Sequence, residues 1–355
     1  MGEKFLMKGN EAIAEAAIRN GCIHFFGYPI TPQTEVSAYM SKVLPKIGGT
    51  FLQAESEIAA INMVLGAASC GIRAMTSSSS PGISLKSEGI SYIAVSDLPC
   101  VILNVMRGGP GLGGIQPSQA DYWQATKALG HGDFQLIVLA PATVQEIVDV
   151  MGIAFDLADK YRMPALILAD GMLGQMMEPV EFPEGQKPSD ATNKPFATTG
   201  TQEKRKPNII NSLYLKPDEL EKTIIERFKR YDEVKANEVR VENYKTDDAE
   251  IITVAYGATA RVVKSAVDRA RAEGIKVGLI RPITVWPFPE KAIADAAKKV
   301  DNMLVVEMCM GQMVEDVRLY ANGQCDVSFF GRTGGIVPSP TEVYEQIKKI
   351  AGGNK

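Results

Sequence analysis

A doubly wound α/β fold followed by a second, smaller α/β unit is predicted by three features of the sequence. From residue 10 to about 180, apolar runs bounded by Gly and Pro alternate with longer amphipathic segments, as βα units building a parallel sheet do. From Glu181 the texture changes to EFPEGQKPSDATNKPFATTGTQEKRKPN, rich in Pro, Lys, Thr and Gly and without a sustained period. At IITVAYG a second alternating region begins. A chain of 355 residues exceeds what one hydrophobic core usually serves, so the expected division is 1–180, a linker with a charged helical stretch over 181–248, and 249–353.

Taken in order, strands are expected at CIHFFGYP, TFLQAE, IRAMTS, CVILNVMR, LIVLA and PALILAD. Between them the pattern predicts helices over 11–20, 33–44, 56–69, 84–95, 118–128 and 144–161, several introduced by a Ser or Thr cap. A charged helix is expected over 217–244, and then strands at KVGLIRP, NMLVVEM and VSFFG separated by helices. In open sheets of this kind ligands sit beyond the carboxyl ends of the strands, so the loops following each strand are where chemistry is sought.

Composition excludes several function classes. Hydrophobic residues make up 45% and charged residues 23%, and no stretch offers the ~18 unbroken apolar residues of a membrane helix, so no membrane role is expected. The opening MGEKFLMKGNEAIAEAA has no apolar core with a small-residue cleavage site, and the cytoplasm is the expected location. A net charge of -4 with interspersed signs gives no basic stripe for nucleic acid. Cys22, Cys70, Cys100, Cys309 and Cys325 show no CxxC spacing, and His24 and His131 are not paired with acids or thiols, so no metal or cluster site is expected in this chain.

The run Gly109-Pro-Gly111-Leu-Gly113-Gly114 satisfies GxGxxG literally, but Pro117 interrupts where a dinucleotide fingerprint would open into a helix, and LIVLAP carries no acid. In FLQAESEIAAINMVLGAASCG, Glu55 and Glu57 stand at the start of an otherwise apolar helix. A first-turn acid ordinarily compensates the helix dipole. The apolar run after Glu57 predicts a helix buried nearly all round, where a carboxyl tends to stay protonated and can donate to a ring nitrogen. Two more loops lie at strand ends. In GYPITP, Pro29 and Pro32 can set a rigid turn and Thr31 can cap a helix; in MRGGPG, Arg107 is a lone cation flanked by glycines that suits an anion such as a carboxylate. The loop from Ser77 to Gly82 offers hydroxyls and N–H groups ahead of a helix.

Together these segments resemble the alpha-type subunit of 2-oxoacid:ferredoxin oxidoreductases. The succession KGNEAIAEAAIRNGC, FGYPITPQTE, QAESEIAAINMVLGAASCG, TSSSSPGISLKSEGIS, VMRGGPGLGG, ALGHGDF and LAPATVQEI carries the likeness. The run GGPGLGGIQPSQADYWQATKALGHGDF looks more like the branched-chain type, acting on 3-methyl-2-oxobutanoate (2-ketoisovalerate), than the 2-oxoglutarate type. Ser80 departs from the glycine expected before Pro-Gly.

The resemblance implies a thiamine-diphosphate pyrimidine-type domain followed by a transketolase C-terminal-like domain. It implies that Glu57 contacts N1′ of the aminopyrimidine, Thr31 the substrate and Arg107 the 2-oxoacid carboxylate, with Pro29 beside the cofactor. ADGMLGQ has the Asp-Gly of a diphosphate segment but lacks the asparagines further on. Partner chains are therefore expected to complete the enzyme. A beta subunit would hold magnesium and the diphosphate, and gamma and ferredoxin-like delta subunits would accompany it with the iron–sulfur clusters. Coenzyme A would be co-substrate and an external ferredoxin the acceptor. The alternatives are the same subunit of a 2-oxoglutarate enzyme and a non-catalytic scaffold.

Overall fold

A computed structural model describes residues 3–185 and 194–353. Strand β1 (Lys4–Lys8) leads through α1 (Gly9–Arg19) into β2 (His24–Gly27), α2 (Thr34–Val43), β3 (Thr50–Gln53) and α3 (Glu57–Ser69). Then come β4 (Ala74–Ser78), α4 (Ser80–Val95), β5 (Val101–Met106), β6 (Ile137–Leu139), α5 (Val144–Tyr161) and β7 (Ala165–Asp170). A short α6 (Gly171–Gln175) and β8 (Met177–Glu181) follow. Beyond them lie α7 (Pro217–Asn237), β9 (Val241–Tyr244), β10 (Ile251–Val254), α8 (Gly257–Ala272), β11 (Val277–Pro282) and β12 (Thr284–Trp286). The chain ends with α9 (Glu290–Ala297), β13 (Asn302–Glu307), α10 (Met313–Ala321), β14 (Asp326–Gly331) and α11 (Pro340–Gly353).

The larger sheet has the order β12-β6-β7-β5-β4-β2-β3, parallel except for β12. Its central strands β4, β5 and β7 are buried along their whole length, which is why β5 and β7 read as largely apolar runs, while β4 buries Thr76, Ser77 and Ser78. The chain leaves β2 for β3 on one side and returns to β4 on the other, so the strand order reverses at β2. Such a switch point opens a crevice beyond the carboxyl ends. The smaller sheet, β14-β13-β10-β11-β9, is parallel except for β9. One apolar cluster runs from β5 and β7 through to Val305, Met308 and Met313, so the two sheets share a core. A second cluster lies between the smaller sheet and α8 and α11.

Buried polar groups tie the halves together, Gln119 and Arg281 among them. Gln119 donates to the carbonyl of Tyr256 at 2.9 Å and accepts from Thr259 Oγ1 at 2.7 Å and from Met308 N at 3.0 Å. The Arg281 guanidinium forms a fork on both oxygens of Glu146 in α5, at 2.6 and 2.9 Å, and donates from Nε to Glu242 of β9 at 2.6 Å.

Several elements differ from expectation for identifiable reasons. The helix expected over 118–128 is reduced to a wide π turn at Gln124–Ala128, because Gln119 is committed to backbone partners in the smaller half. The charged helix stops at Asn237 rather than 244, since residues 241–244 pair antiparallel with β11. Helix α4 begins a turn earlier than expected, Pro81 being tolerated in its first turn, where the N–H needs no helical partner. Ser80 lies inside that first turn and is not among the residues of positive φ, so no glycine is required there. Helix α3 is not wrapped on all sides, because Ile58 is 51% exposed and Asn62 and Gly66 face outward with it.

Candidate active site

Because β5, β4, β2 and β3 are adjacent and parallel, the segments following them meet at one edge of the sheet. After β3, Ser56 caps α3 by accepting from Ala59 N at 3.1 Å, which fixes Glu57 as the first helical residue. Glu57 is 6% exposed. Its carboxyl lies against the α-carbon of Gly82 in α4, where a Cβ would stand 2.7 Å from Glu57 Oε1 and 2.1 Å from Ser78 Oγ. Gly82 is therefore the cradle of that carboxyl.

After β2, the carbonyl of Pro32 accepts from Asn10 Nδ2 at 2.7 Å and Gln175 Nε2 at 3.2 Å, and both amides also bond Glu35. Gln33 braces the same loop, accepting from Ser77 Oγ at 2.6 Å. Thr31 stays exposed and Pro29 half-buried. After β5, Arg107 is buried, donating from Nη1 to the carbonyl of Thr31 at 2.9 Å and from Nη2 to that of Leu112 at 3.0 Å. Thr31 and Arg107 are thus brought together by a side-chain to backbone bond, while Glu57 joins them through the first turn of α4. The glycine loop closes on itself, with Gly108 N on Gln116 O and Gly114 N on Gly108 O, and opens no helix of the dinucleotide kind.

A polar network unforeseen from the sequence underlies Arg107. Ser80 Oγ donates to Asp121 Oδ2 at 2.6 Å and accepts from the Arg107 N–H at 3.0 Å, and Asn104 Nδ2 donates to the same Asp121 oxygen at 2.9 Å. Burial pushes the Asp121 carboxyl above the usual range, while the bonds from Ser80 and Asn104 hold it down. An Asn inside the apolar strand CVILNVMR was the available signal. The Asp-Gly at 170–171 has a structural part: Asp170 caps α6, accepting from Met172 N at 2.8 Å and Leu173 N at 3.1 Å.

A cleft of about 790 Å³ opens beside this edge between the two halves, lined by Ser80, Pro81, Leu85, the 108–111 loop, Trp123 and the 309–312 loop. Thr31, Glu57 and Arg107 do not line it, although Ser80 and Gly108, their neighbours, do. Ser78 Oγ, Ser79 Oγ and Arg107 Nε are buried with no hydrogen-bond partner among the described residues. Buried polar groups are rarely left so, which makes them open positions for a polar ligand. Burial pushes the thiols of Cys22 and Cys100 up to about 12, so they behave as small hydrophobes. Among the described residues no helix is long and apolar enough to cross a membrane.

Fold and loop arrangement are those of a thiamine-diphosphate-binding α/β polypeptide. Residues 15–257 match the family described as Pyruvate flavodoxin/ferredoxin oxidoreductase, thiamine diP-bdg, and residues 249–343 match Pyruvate:ferredoxin oxidoreductase core domain II. The ketoisovalerate oxidoreductase subunit VorB of Methanothermobacter marburgensis is 50% identical over 98% of each chain. The 2-oxoglutarate synthase subunit KorA of the same organism is 37% identical over 98% of this chain and 99% of its own. A solved 2-oxoglutarate:ferredoxin oxidoreductase of Magnetococcus marinus, with 2-oxoglutarate, coenzyme A and succinyl-CoA bound, superimposes with a TM-score of 0.85 at 28% identity. It covers 98% of this chain, which spans 65% of that longer one. The chain belongs to the thiamine-diphosphate-binding 2-oxoacid:ferredoxin oxidoreductase family, as a subunit that acts with partner chains.

Proposed function

We infer that this chain activates thiamine diphosphate for the oxidative decarboxylation of 3-methyl-2-oxobutanoate to its acyl-CoA and carbon dioxide, with electrons passing to ferredoxin. The observation that carries the reading is the buried Glu57 carboxyl, held at the carboxyl edge of the sheet in a cradle that only a glycine leaves open. Thiamine diphosphate, when bound, supplies the electron sink for loss of carbon dioxide. Glu57 holds a proton at a ring nitrogen, and Pro29 flanks the ring. Thr31 and Arg107 hold the 2-oxoacid; the unpartnered Nε of Arg107 is the donor free to meet its carboxylate.

The site in this reading is completed from outside. Ile58 and Leu85, each 51% exposed, and Leu112, 84% exposed, make an apolar rim around it, as a subunit-facing surface would. A beta chain would bring the diphosphate and magnesium site, and gamma and ferredoxin-like delta chains would accompany it, with the iron–sulfur clusters outside this chain. Coenzyme A would be the acyl acceptor, an external ferredoxin the electron acceptor, and the cytoplasm the location. The second family match, beginning at residue 249, supports a division there, while the division proposed at 181 falls inside the first match, which runs to 257; β12 crosses back to the larger sheet.

Glu57→Gln in the assembled enzyme tests the reading: turnover falls about 100-fold or more while the complex stays assembled. Full turnover would leave the scaffold role. The 50% identity to the ketoisovalerate subunit against 37% to the 2-oxoglutarate one favours the branched-chain substrate. Acyl-CoA analysis decides it, succinyl-CoA as main product arguing for the other type.

A further inference from the structure

Lys86 is fully buried, at 0% exposure, the only lysine so placed among the described residues. A buried ammonium is expensive unless its three donors are met. Its Nζ donates to the backbone carbonyl of Glu57 at 3.3 Å. The register of α4 explains the contact. Gly82, four residues before Lys86 and so on the same helix face, leaves room for the Glu57 carboxyl, while Gly89, one turn on, admits Ile61 of α3, whose Cγ2 would lie 2.4 Å from a Cβ there. One stripe of α4 thus receives one stripe of α3, and Lys86 is its polar member.

We propose that Lys86 is a positioning residue for Glu57: its bond to the Glu57 carbonyl fixes the first turn of α3, and its charge shapes the pH dependence of the reaction at that carboxyl. The inference rests on the reading of Glu57 given above. Burial pulls the Lys86 ammonium down to about 8, with the Glu57 charge opposing the fall. Few other charges face the pair. On α4, Glu88 is exposed and accepts from Tyr92; Arg107 and Asp121 stand beyond Ser80; Glu55 of the preceding loop is exposed. A cation beside a carboxyl favours its anion, so removing the Lys86 charge should carry the high-pH limb of activity upward.

The test compares wild type, Lys86→Met and Lys86→Arg in the assembled enzyme loaded with thiamine diphosphate. The pH dependence of kcat/KM is read together with the circular-dichroism band of the bound aminopyrimidine tautomer and with amide exchange in the first turn of α3. Lys86→Met, which removes the cation at similar volume, should move the limb where activity falls with rising pH upward by about one unit or more. The tautomer band should move with it and exchange at residues 60–61 should quicken, while Lys86→Arg keeps the wild-type limb. A Lys86→Met profile superimposed on wild type overturns the proposal whatever happens to the melting temperature. Should Lys86→Met fail to assemble, Lys86→Gln takes its place: a limb carried upward supports the proposal and an unmoved one overturns it. Glu57→Gln is run alongside. Retained turnover there sinks the reading of Glu57, whereas an inactive Glu57→Gln with an unmoved Lys86→Met sinks this inference alone.

Discussion

At the scale of single residues, Gly82 and Glu57 are one device, since the carboxyl occupies space that any side chain at 82 would fill. Gly82→Ala puts a Cβ 2.7 Å from Glu57 Oε1 and 2.1 Å from Ser78 Oγ, and the small serine hydroxyl gives way more easily than the helix can. A stability loss of about 1–3 kcal/mol is expected, as for overpacking generally. On the role proposed for Glu57, turnover should fall about tenfold or more with KM little changed. Steady-state kinetics and thermal melts on the same preparation check both. Glu57 was legible in the sequence, an acid ahead of seven largely apolar positions. Lys86 was not, because SLKSEG reads as a solvated helix face and becomes interior only when α3 docks on α4. Thr31 and Arg107 were legible as loop residues, but their mutual bond depends on two strands paired out of chain order.

At the scale of elements, β5, β6 and β7 were visible because two-sided burial leaves a largely apolar run. Strands β1 and β8 were not, since KFLMK and MEPVE pair only with each other, antiparallel and half-covered. Nor could the sequence foretell that α3 keeps an open side, which follows from how few elements this chain places against it. Helix α6 carries a pH-linked prediction. Burial raises the carboxyl of Asp170 from 3.8 to about 6, against the helix N–H groups that lower it. A folded-state value above the unfolded one means that this contribution to stability is complete below about 4 and lost as pH rises through about 6. Asp170→Asn keeps an acceptor for Met172 and Leu173 and removes the charge. Its stability relative to wild type should therefore climb between pH 4 and 6 and level off above, by at most on the order of 3 kcal/mol. Denaturant titrations at stepped pH measure it; a constant difference across that window would refute the assignment.

For the whole molecule, alternation along the chain announced two α/β units, but not that one core would run through both. The ties that make it so are single side chains reaching into the other half, such as Gln119 and Arg281, and nothing local in sequence marks them. The most consequential tie is three residues long. Strand β12 lies along β6, Thr284 opposite Leu139 and Trp286 opposite Val138, and Ala140 N bonds Ile283 O at 2.7 Å. A chain cut after residue 248 loses that cover, baring the N–H and C=O row of a wholly apolar strand. Such a fragment should pair flank to flank and grow into large particles within hours at micromolar concentration, which light scattering would register, whereas a fragment that stayed monodisperse would contradict it. The terminal portion thus serves the larger one as a built-in chaperone, and a genetic split of this polypeptide would have to reinvent a plug for the same seam.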